Sequence, residues 1–299
     1  MSGEPSVLVD ILKYTVAAAA PLLFASMGGL FSELSGMLNI ALEGLMGIGA
    51  FFGMAAAGLS GNLFVGALAA AGSAVLGSML MGAVAIRLRA NLFIAGLALN
   101  LLSGGITAVL SQAWFHTKAV VAFSLPALGQ VFPRFLSSIP LLGPIFFSQS
   151  SIVLSSWVWA LAVAFVIQKT RHGLRARATG MNPNAVAALG FSPDRARMAA
   201  LIWSGIGSGL GGFALGLSIS AFVPNIVSGR GWVALVAIYL GRRRPVWIAA
   251  SCLLFALAES FSNYIQGFSS IPPLLVLALP YAVTLASLII AGQKSRAGR

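Results

Sequence analysis

Uncharged apolar segments of about 20 residues recur along most of the chain, and they constrain the fold more than any other feature. A helix of about that length crosses the hydrocarbon core of a bilayer. The chain is 59% hydrophobic and 8% charged, whereas soluble domains carry about 25% charged residues. The sequence therefore predicts an all-α polytopic membrane protein. Residues 1–299 are expected to form one integral-membrane domain, because no hydrophilic segment is long enough to build a second.

The apolar segments divide into about nine candidate spans, with eight to ten as the expected range. One of them, 229–241, is too short to cross a bilayer alone at about 1.5 Å per residue. It is interpreted as a half-helix continuing from an extended stretch, as discontinuous transporter helices do. The candidates are 14–30, 40–58, 62–86, 91–111, 151–168, 199–219, 229–241, 245–264 and 273–292.

Basic residues cluster in alternate connections. Fourteen of the eighteen lie at 87–89, 169–197, 242–244 and 294–299. Since Lys and Arg near span ends stay cytoplasmic, this pattern predicts a membrane protein with an external N-terminus and a cytoplasmic C-terminus. The net charge of +12 is explained by that topology, and nucleic-acid binding is not expected because no basic soluble face is present.

The longest of these basic connections, residues 169–198, is predicted to be a cytoplasmic loop that contains a short helix. Asn182-Pro183 and Ser192-Pro193 each combine a capping side chain with a proline at the first helical position. Gly190 is placed to end the helix that Pro183 begins, because glycine readily adopts the left-handed conformation. A capped helix in the largest basic loop favours docking to a cytoplasmic partner.

On the opposite side, residues 111–150 are predicted to be an external loop. The segment contains Pro126, Pro133, Pro140 and Pro144 among apolar residues, which indicates an irregular path along the membrane surface. Two interpretations remain open, a structural cover and the outer mouth of a solute pathway.

Polar residues inside the spans are costly in a bilayer and usually face a cavity or a neighbouring helix. Asn39 and Glu43 are four residues apart and are expected to share one helix face. Asn100 lies on a polar face of the fourth span with Ser103 and Thr107. These residues either line a solute route or form interhelical hydrogen bonds. For Asn39 and Glu43 a structural or gating role is favoured.

Several catalytic and binding motifs can be set aside. Residues 207–212 fit the dinucleotide pattern GxGxxG, but they lie in an apolar helix rather than between a strand and a helix. Glycines spaced in this way predict close helix packing instead. No Gly-Lys pair of a phosphate-binding loop occurs, and no Cys/His cluster suggests a metal or cofactor. If ATP drives transport, another chain must hydrolyse it.

Five ordered blocks carry a family resemblance that runs from about Pro21 to Ile290. The chain resembles permease subunits of bacterial ABC importers for nucleosides and simple sugars, and it is similar to the shorter of the two permeases that such importers often pair. The blocks are GGLFSELSGMLNIALEGLMGIGAF, RLRANLFIAGLALNLL, GLRARATGMNPNAVAALGFSPDRARMAALIWSGIGSGLGG, GWVALVAIYLGRRRP and LLVLALPYAVTLASLI.

This resemblance implies a type II importer-like fold and three protein partners: an ATP-binding cassette ATPase, a second homologous permease, and an extracytoplasmic solute-binding protein or lipoprotein. It implies that Pro183 to Leu189 is the coupling helix, which docks in a groove of the ATPase. Membrane lipid is a further expected contact, for which Arg242, Arg243 and Arg244 are candidates. The expected coupling residues are Asn182, Pro183, Asn184, Ala185, Val186, Leu189 and Gly190, and the candidate pathway residues are Asn39, Glu43 and Asn100.

The cargo stays open at this stage. Nucleosides, riboflavin and simple sugars are all compatible with the resemblance. A different class, a secondary transporter that works without ATP, would need carboxylates deep in its spans, and Glu33, Glu43 and Glu259 qualify.

Overall fold

The computed structural model describes residues 7–126, 129, 143–266 and 282, and these residues are overwhelmingly helical. Within them, seven helices are long and apolar enough to cross a membrane. The long helices are α1 (Val7–Leu34), α2 (Leu42–Ser60), α3 (Leu63–Gly82), α4 (Leu92–Phe115), α5 (Ser151–Lys169), α8 (Pro193–Ile219) and α10 (Pro245–Gln266), and the short ones are α6 (Arg171–Met181), α7 (Pro183–Ala188) and α9 (Arg230–Leu240).

Eight of the nine expected spans correspond to these helices, although several of their bounds differ. The first helix begins earlier than expected, at Val7 rather than residue 14. Helix α8 begins at Pro193, six residues before the predicted span 199–219. Its first turns are polar and lie outside the apolar segment, but the Ser192-Pro193 pair predicted this helix start, and the Ser192 hydroxyl accepts a hydrogen bond from the Arg195 amide at 3.4 Å. The predicted ninth span, 273–292, lies outside the described residues.

Helix α9 fills the predicted segment 229–241 and has 11 residues. At about 1.5 Å per residue it is about 16 Å long, roughly half of the hydrocarbon thickness. An extended stretch, β2 (Ala221–Phe222), and a turn precede it. The interpretation of this segment as a half-helix is confirmed.

Helix α8 lies at the centre of the bundle and packs against α1, α2 and α3. Its glycines bring backbones into direct contact. A Cβ built on Gly212 would lie 1.8 Å from the carbonyl oxygen of Met46 on α2, and one on Gly207 would lie 2.4 Å from that of Phe24 on α1. The prediction that residues 207–212 serve helix packing is confirmed.

The helices at the periphery expose apolar side chains. Leu76 of α3, Leu101 of α4 and Leu161 of α5 are between 69% and 80% exposed. In water such a surface would be very unfavourable, but lipid tails solvate it well. The distribution is that of a bundle whose outer face meets the bilayer.

The segment predicted as an external loop is more ordered than expected at its start. Residues 111–115 are the last turn of α4, so the prediction of a loop beginning at residue 111 was wrong. Apolar residues Ala113 to Phe115 continue the helix until His116, which has a left-handed φ of 55°. Beyond it, β1 (Val121–Ala122) pairs antiparallel with β2. Pro133 and Pro140 lie outside the described residues.

Three basic clusters meet at one end of the bundle, called the basic end below. Arg177 and Arg243 line one cavity there. The end of α3, which leads to Arg87, lies beside the start of α8: a Cβ built on Gly82 would lie 2.9 Å from the Met198 side chain. The structure therefore gathers clusters that are far apart in the chain onto a single side.

Candidate functional site

The basic segment 169–198 is mostly helical. The sequence predicted the short helix after Asn182 and the helix start at Ser192-Pro193, but not a helix before them. Helix α6 occupies Arg171–Met181, where a loop was expected. Thr170 caps its start, since the Thr170 hydroxyl accepts a hydrogen bond from the Gly173 amide at 3.4 Å. Alanine, arginine, leucine and methionine, all good helix formers, make up most of its length. The error arose because the helix is polar and carries no apolar run.

Helix α7 is the short helix that the Asn-Pro pair predicted. The Asn182 Oδ1 atom accepts a hydrogen bond from the Ala185 amide at 3.0 Å, and Pro183 occupies the first turn. Gly190 follows the helix with a φ of +81°, as a left-handed terminator should. The last helical residue is Ala188, so Leu189 stands just beyond the helix rather than inside it.

One side chain anchors α7 while its neighbours are exposed. Val186 is 5% exposed and faces the protein. Asn184 and Ala185 are exposed, and so are two large apolar side chains at the ends of the segment, Met181 and Leu189. A short capped helix flanked by exposed apolar side chains is suited to insertion in a groove of another protein.

Deeper in the bundle, Glu43 of α2 caps the start of the half-helix α9. Its Oε1 atom accepts a hydrogen bond from the Gly229 amide at 2.7 Å, and its Oε2 atom accepts one from the Gly231 amide at 2.8 Å. A carboxylate is stabilised at a helix N-terminus by the free amides and the helix dipole. A Cβ on Gly231 would lie 2.4 Å from the Glu43 nitrogen, so this approach requires glycine.

Asn100 of α4 braces the first turn of α2 from the other side. The Asn100 Oδ1 atom accepts a hydrogen bond from the Gly44 amide at 2.8 Å, and its Nδ2 atom donates one to the Ile40 carbonyl oxygen at 3.1 Å. Ser103, one turn along α4, donates to the Gly44 carbonyl oxygen at 2.7 Å. The predicted polar face of the fourth span thus packs on α2.

Glu43 and Asn100 also line one small cavity of about 90 Å³. The other lining residues come from α2, α4 and the segment before α9, and they are Gly44, Gly47, Ser103, Gly104, Thr107, Phe222, Asn225, Ile226 and Val227. The structure therefore brings together two of the three candidate pathway residues beside the start of the half-helix.

Asn39, the third candidate, lies elsewhere, and the prediction that it shares a helix face with Glu43 was wrong. Helix α2 begins at Leu42, so Asn39 precedes it. The Asn39 Oδ1 atom accepts a hydrogen bond from the Ala41 amide at 3.0 Å, which holds a turn, and its Nδ2 atom donates to Ser204 of α8 at 2.8 Å. Asn39 is 1% exposed and serves helix packing.

Two ion pairs were not predicted. Arg230, the first residue of α9, pairs with Glu259 of α10. Arg243, just after α9, lies 2.6 Å from Glu33 of α1. Both acids and both arginines are visible in the sequence, but only the tertiary fold brings them together. Within residues 7–126 and 143–266, no group of three or more His, Cys, Asp or Glu side chains could hold a metal ion.

The fold and the site are those of a multi-pass membrane protein with a broken span and a capped helix projecting from its basic segment. Residues 11–290 match the family described as branched-chain amino acid transport system / permease component, and the chain belongs to this family. It is a transmembrane subunit with a transport role rather than a catalytic one.

Three relatives align with most of the chain. It is 34% identical to the guanosine ABC transporter permease protein NupQ of Bacillus subtilis, over 94% of this chain and 92% of NupQ. It is 33% identical to the nucleoside ABC transporter permease protein NupC of Lactococcus lactis, over 95% of this chain and 93% of NupC. It is 30% identical to the putative glucose ABC transporter permease protein TsgC13 of Haloferax volcanii, over 88% of this chain and 80% of TsgC13.

The fold is similar to that of a solved membrane transporter. An inward-facing conformation of a putative metal-chelate type ABC transporter aligns with a TM-score of 0.53, covering 95% of this chain and 86% of the other. At 14% identity this likeness concerns the fold alone. It agrees with the type II importer-like architecture that the sequence predicted.

Proposed function

We propose that this chain is the permease subunit of an ABC importer that moves a nucleoside into the cytoplasm. The observation that carries the cargo class is the identity of 33–34% with a guanosine and a nucleoside permease over more than nine-tenths of both chains. The alternative, a simple sugar, is favoured by the putative glucose permease, with lower identity and coverage. Riboflavin is a third candidate from the sequence resemblance.

Helix α7 is the proposed contact with the ATPase. Its cap at Asn182 and its terminator at Gly190 make it a defined, rigid element. Val186 anchors it, while Ala185 and Leu189 face outward. Movement of the ATPase subunits would displace α7 and the segment joined to it, and the bundle would switch the side on which the pathway opens.

The proposed topology places the basic end in the cytoplasm, the N-terminus outside and the C-terminus inside. The gathering of three basic clusters on one side of the bundle supports this orientation. The proposed partners are an ATP-binding cassette ATPase, a second homologous permease and an extracytoplasmic solute-binding protein or lipoprotein. Membrane lipid covers the apolar periphery.

Glu43 and Asn100 are proposed to shape the pathway without binding the cargo directly. Both oxygens of Glu43 accept backbone hydrogen bonds of α9, and the Asn100 amide is used in the same way on α2. Asn225 and Thr107 line the same cavity, and they are the proposed polar contacts for solute.

The test is uptake by the assembled transporter. The chain, its partner permease, its ATPase and its binding protein would be reconstituted in liposomes with ATP inside. Radiolabelled guanosine should accumulate, while ribose, glucose and riboflavin at equal concentration should not compete. Glucose accumulation without guanosine accumulation would support the sugar alternative. Uptake that persists without ATP would overturn the ABC assignment in favour of a secondary transporter.

A further inference from the structure

Glu33, in the last turn of α1, is a buried acid that holds the end of the half-helix α9. Its side chain is 6% exposed. One carboxylate oxygen lies 2.6 Å from the Arg243 guanidinium, and the other accepts a hydrogen bond from the Tyr239 hydroxyl at 3.1 Å. Tyr239 is in the last turn of α9, and Arg243 lies three residues after the end of this helix at Leu240. A cation at a helix C-terminus is also favoured by the helix dipole.

The backbone after α9 is strained in a way that points Arg243 at this acid. Arg242 and Arg243 have φ values of 50° and 59°, two consecutive left-handed residues without glycine. Such a conformation is unfavourable for residues with a Cβ and persists only when surrounding contacts hold it. Arg242 and Arg244 are exposed and have no ion pair within the part of the chain that the structure describes. Arg243 alone of the three reaches α1.

The same acid borders the segment that carries α7. Glu33 and Arg243 line a cavity of about 440 Å³ together with Arg177 and Gly180 of α6. A Cβ built on Gly180 would lie 2.1 Å from the Leu34 carbonyl oxygen, so α6 is seated on the end of α1 by backbone contact. Asn182 ends α6 and caps α7, which joins the two helices rigidly.

A continuous set of contacts therefore runs from α7 to the half-helix α9. It passes from α7 through α6 to the end of α1, from Glu33 to Arg243 and Tyr239, and along α9 to the amides that Glu43 holds. The route uses backbone packing and charge-assisted hydrogen bonds, which are stronger than hydrogen bonds between neutral groups.

We propose that Glu33, Arg243 and Tyr239 are positioning residues that transmit movement of α7 to α9. They would contact neither cargo nor ATP and would instead couple ATP hydrolysis to the opening of the pathway at α9. This inference rests on the proposed function as an ATP-driven permease, but it does not depend on the identity of the cargo.

The experiment follows the position of α9 in the assembled complex. Cys252 is buried, so a cysteine introduced at Trp232, which is 40% exposed on α9, provides the reporter. Its rate of reaction with a hydrophilic maleimide would be compared between the nucleotide-free state and the vanadate-trapped state. The variants are Arg243→Gln, Tyr239→Phe and the double variant Glu33→Gln/Arg243→Gln. The matched control is Arg242→Gln, which removes the same charge from the adjacent residue.

In the native complex and in the Arg242→Gln variant, vanadate trapping should change the rate at which the introduced cysteine reacts with maleimide by about fivefold or more. This is a common size for coupling between distant sites. With Arg243→Gln and with the double variant the change should disappear, while the yield of complex and its basal ATPase rate stay near the control. The Tyr239→Phe variant should show a smaller change in maleimide rate than the native complex. Glu33 loses the hydrogen bond from Tyr239 in this variant but keeps its contact with Arg243.

An unchanged response in Arg243→Gln and in the double variant would overturn the inference. So would an equal loss in Arg242→Gln, since that would reflect net charge rather than the contact with Glu33. Failure of the native complex to take up guanosine would contradict the proposed cargo only, because the accessibility measurement requires ATP and the ATPase but no solute.

Discussion

The carboxylate of Glu43 and the backbone amide of Gly231 lie 2.8 Å apart, so the second span caps a helix that begins far later in the chain. The cap is bidentate, because the Gly229 amide binds the other oxygen. The first amides of a helix have no helical partners, and at α9, which follows a turn, this leaves the Gly229 and Gly231 amides without a backbone acceptor. Glu43 supplies those partners and fixes where the half-helix begins.

Replacing Glu43 with Ala is expected to destabilise α9 and to abolish uptake. Two amides in a largely buried site lose their acceptor, which costs about 1–3 kcal/mol for each group left unsatisfied. Thermal unfolding of the detergent-solubilised protein should show a lower Tm, and liposome uptake should fall to background. Asp194→Asn is the control, because its carboxylate is 66% exposed and its ion pair with Arg197 is 3.8 Å long, so Tm and uptake should change little. A variant with native Tm and native uptake would contradict this role.

Replacing Asn182 with Ala is expected to loosen α7 without unfolding the bundle. Loss of such a cap costs about 1 kcal/mol. A helix of six residues has little stability of its own, so this loss is enough to increase its local unfolding. Hydrogen exchange at the amides of residues 185–188 should accelerate, while exchange in α8 stays slow. Asn184→Ala provides the comparison, since Asn184 lies in the first turn of the same helix but does not cap it. Equal exchange in both variants would contradict the capping role.

Replacing Ala185 with Arg is expected to abolish ATP-dependent uptake while leaving membrane insertion intact. Ala185 is exposed on α7, so the larger charged side chain is tolerated by the free subunit but would clash in an ATPase groove. Co-purification of the ATPase with the permease and uptake of guanosine are the two measurements. Ala185→Ser, a small change at the same position, should retain both. Unchanged ATP-dependent uptake in the arginine variant would refute the coupling assignment.

Local sequence patterns predicted much of this fold, because membrane spans, caps and close-packing glycines each have a local physical cause. Apolar runs indicated the long helices, and Asn182-Pro183 with Gly190 indicated α7. Tertiary partners have no such local signature. The pairing of Glu33 with Arg243, and the separation of Asn39 from Glu43 by a break in the helix, depend on how distant segments pack. Helix α6 was missed because a polar helix lacks an apolar run.

Replacing Gly212 with Ala is expected to destabilise the bundle strongly. The added Cβ would meet the Met46 carbonyl oxygen at 1.8 Å, and overpacking of this kind costs about 1–3 kcal/mol or more. The yield of folded protein and its Tm should both fall. Gly72→Ala, in the middle of α3 with open space around it, should raise Tm slightly because alanine favours helix. Equal effects of the two substitutions would show that contact with Met46 does not matter.

The glycines within residues 207–212 of α8 also limit how the solute specificity of this permease could be altered. At these glycines the backbone of α8 contacts the backbone of a neighbouring helix, so there is no side chain whose size could be changed to suit another solute. Any added side-chain atom would force the helices apart. The wall formed by Asn225, Ile226 and Val227 is different, because side chains line the cavity there. Selection for a new cargo should therefore accumulate changes in residues 225–227 and leave 207–212 untouched.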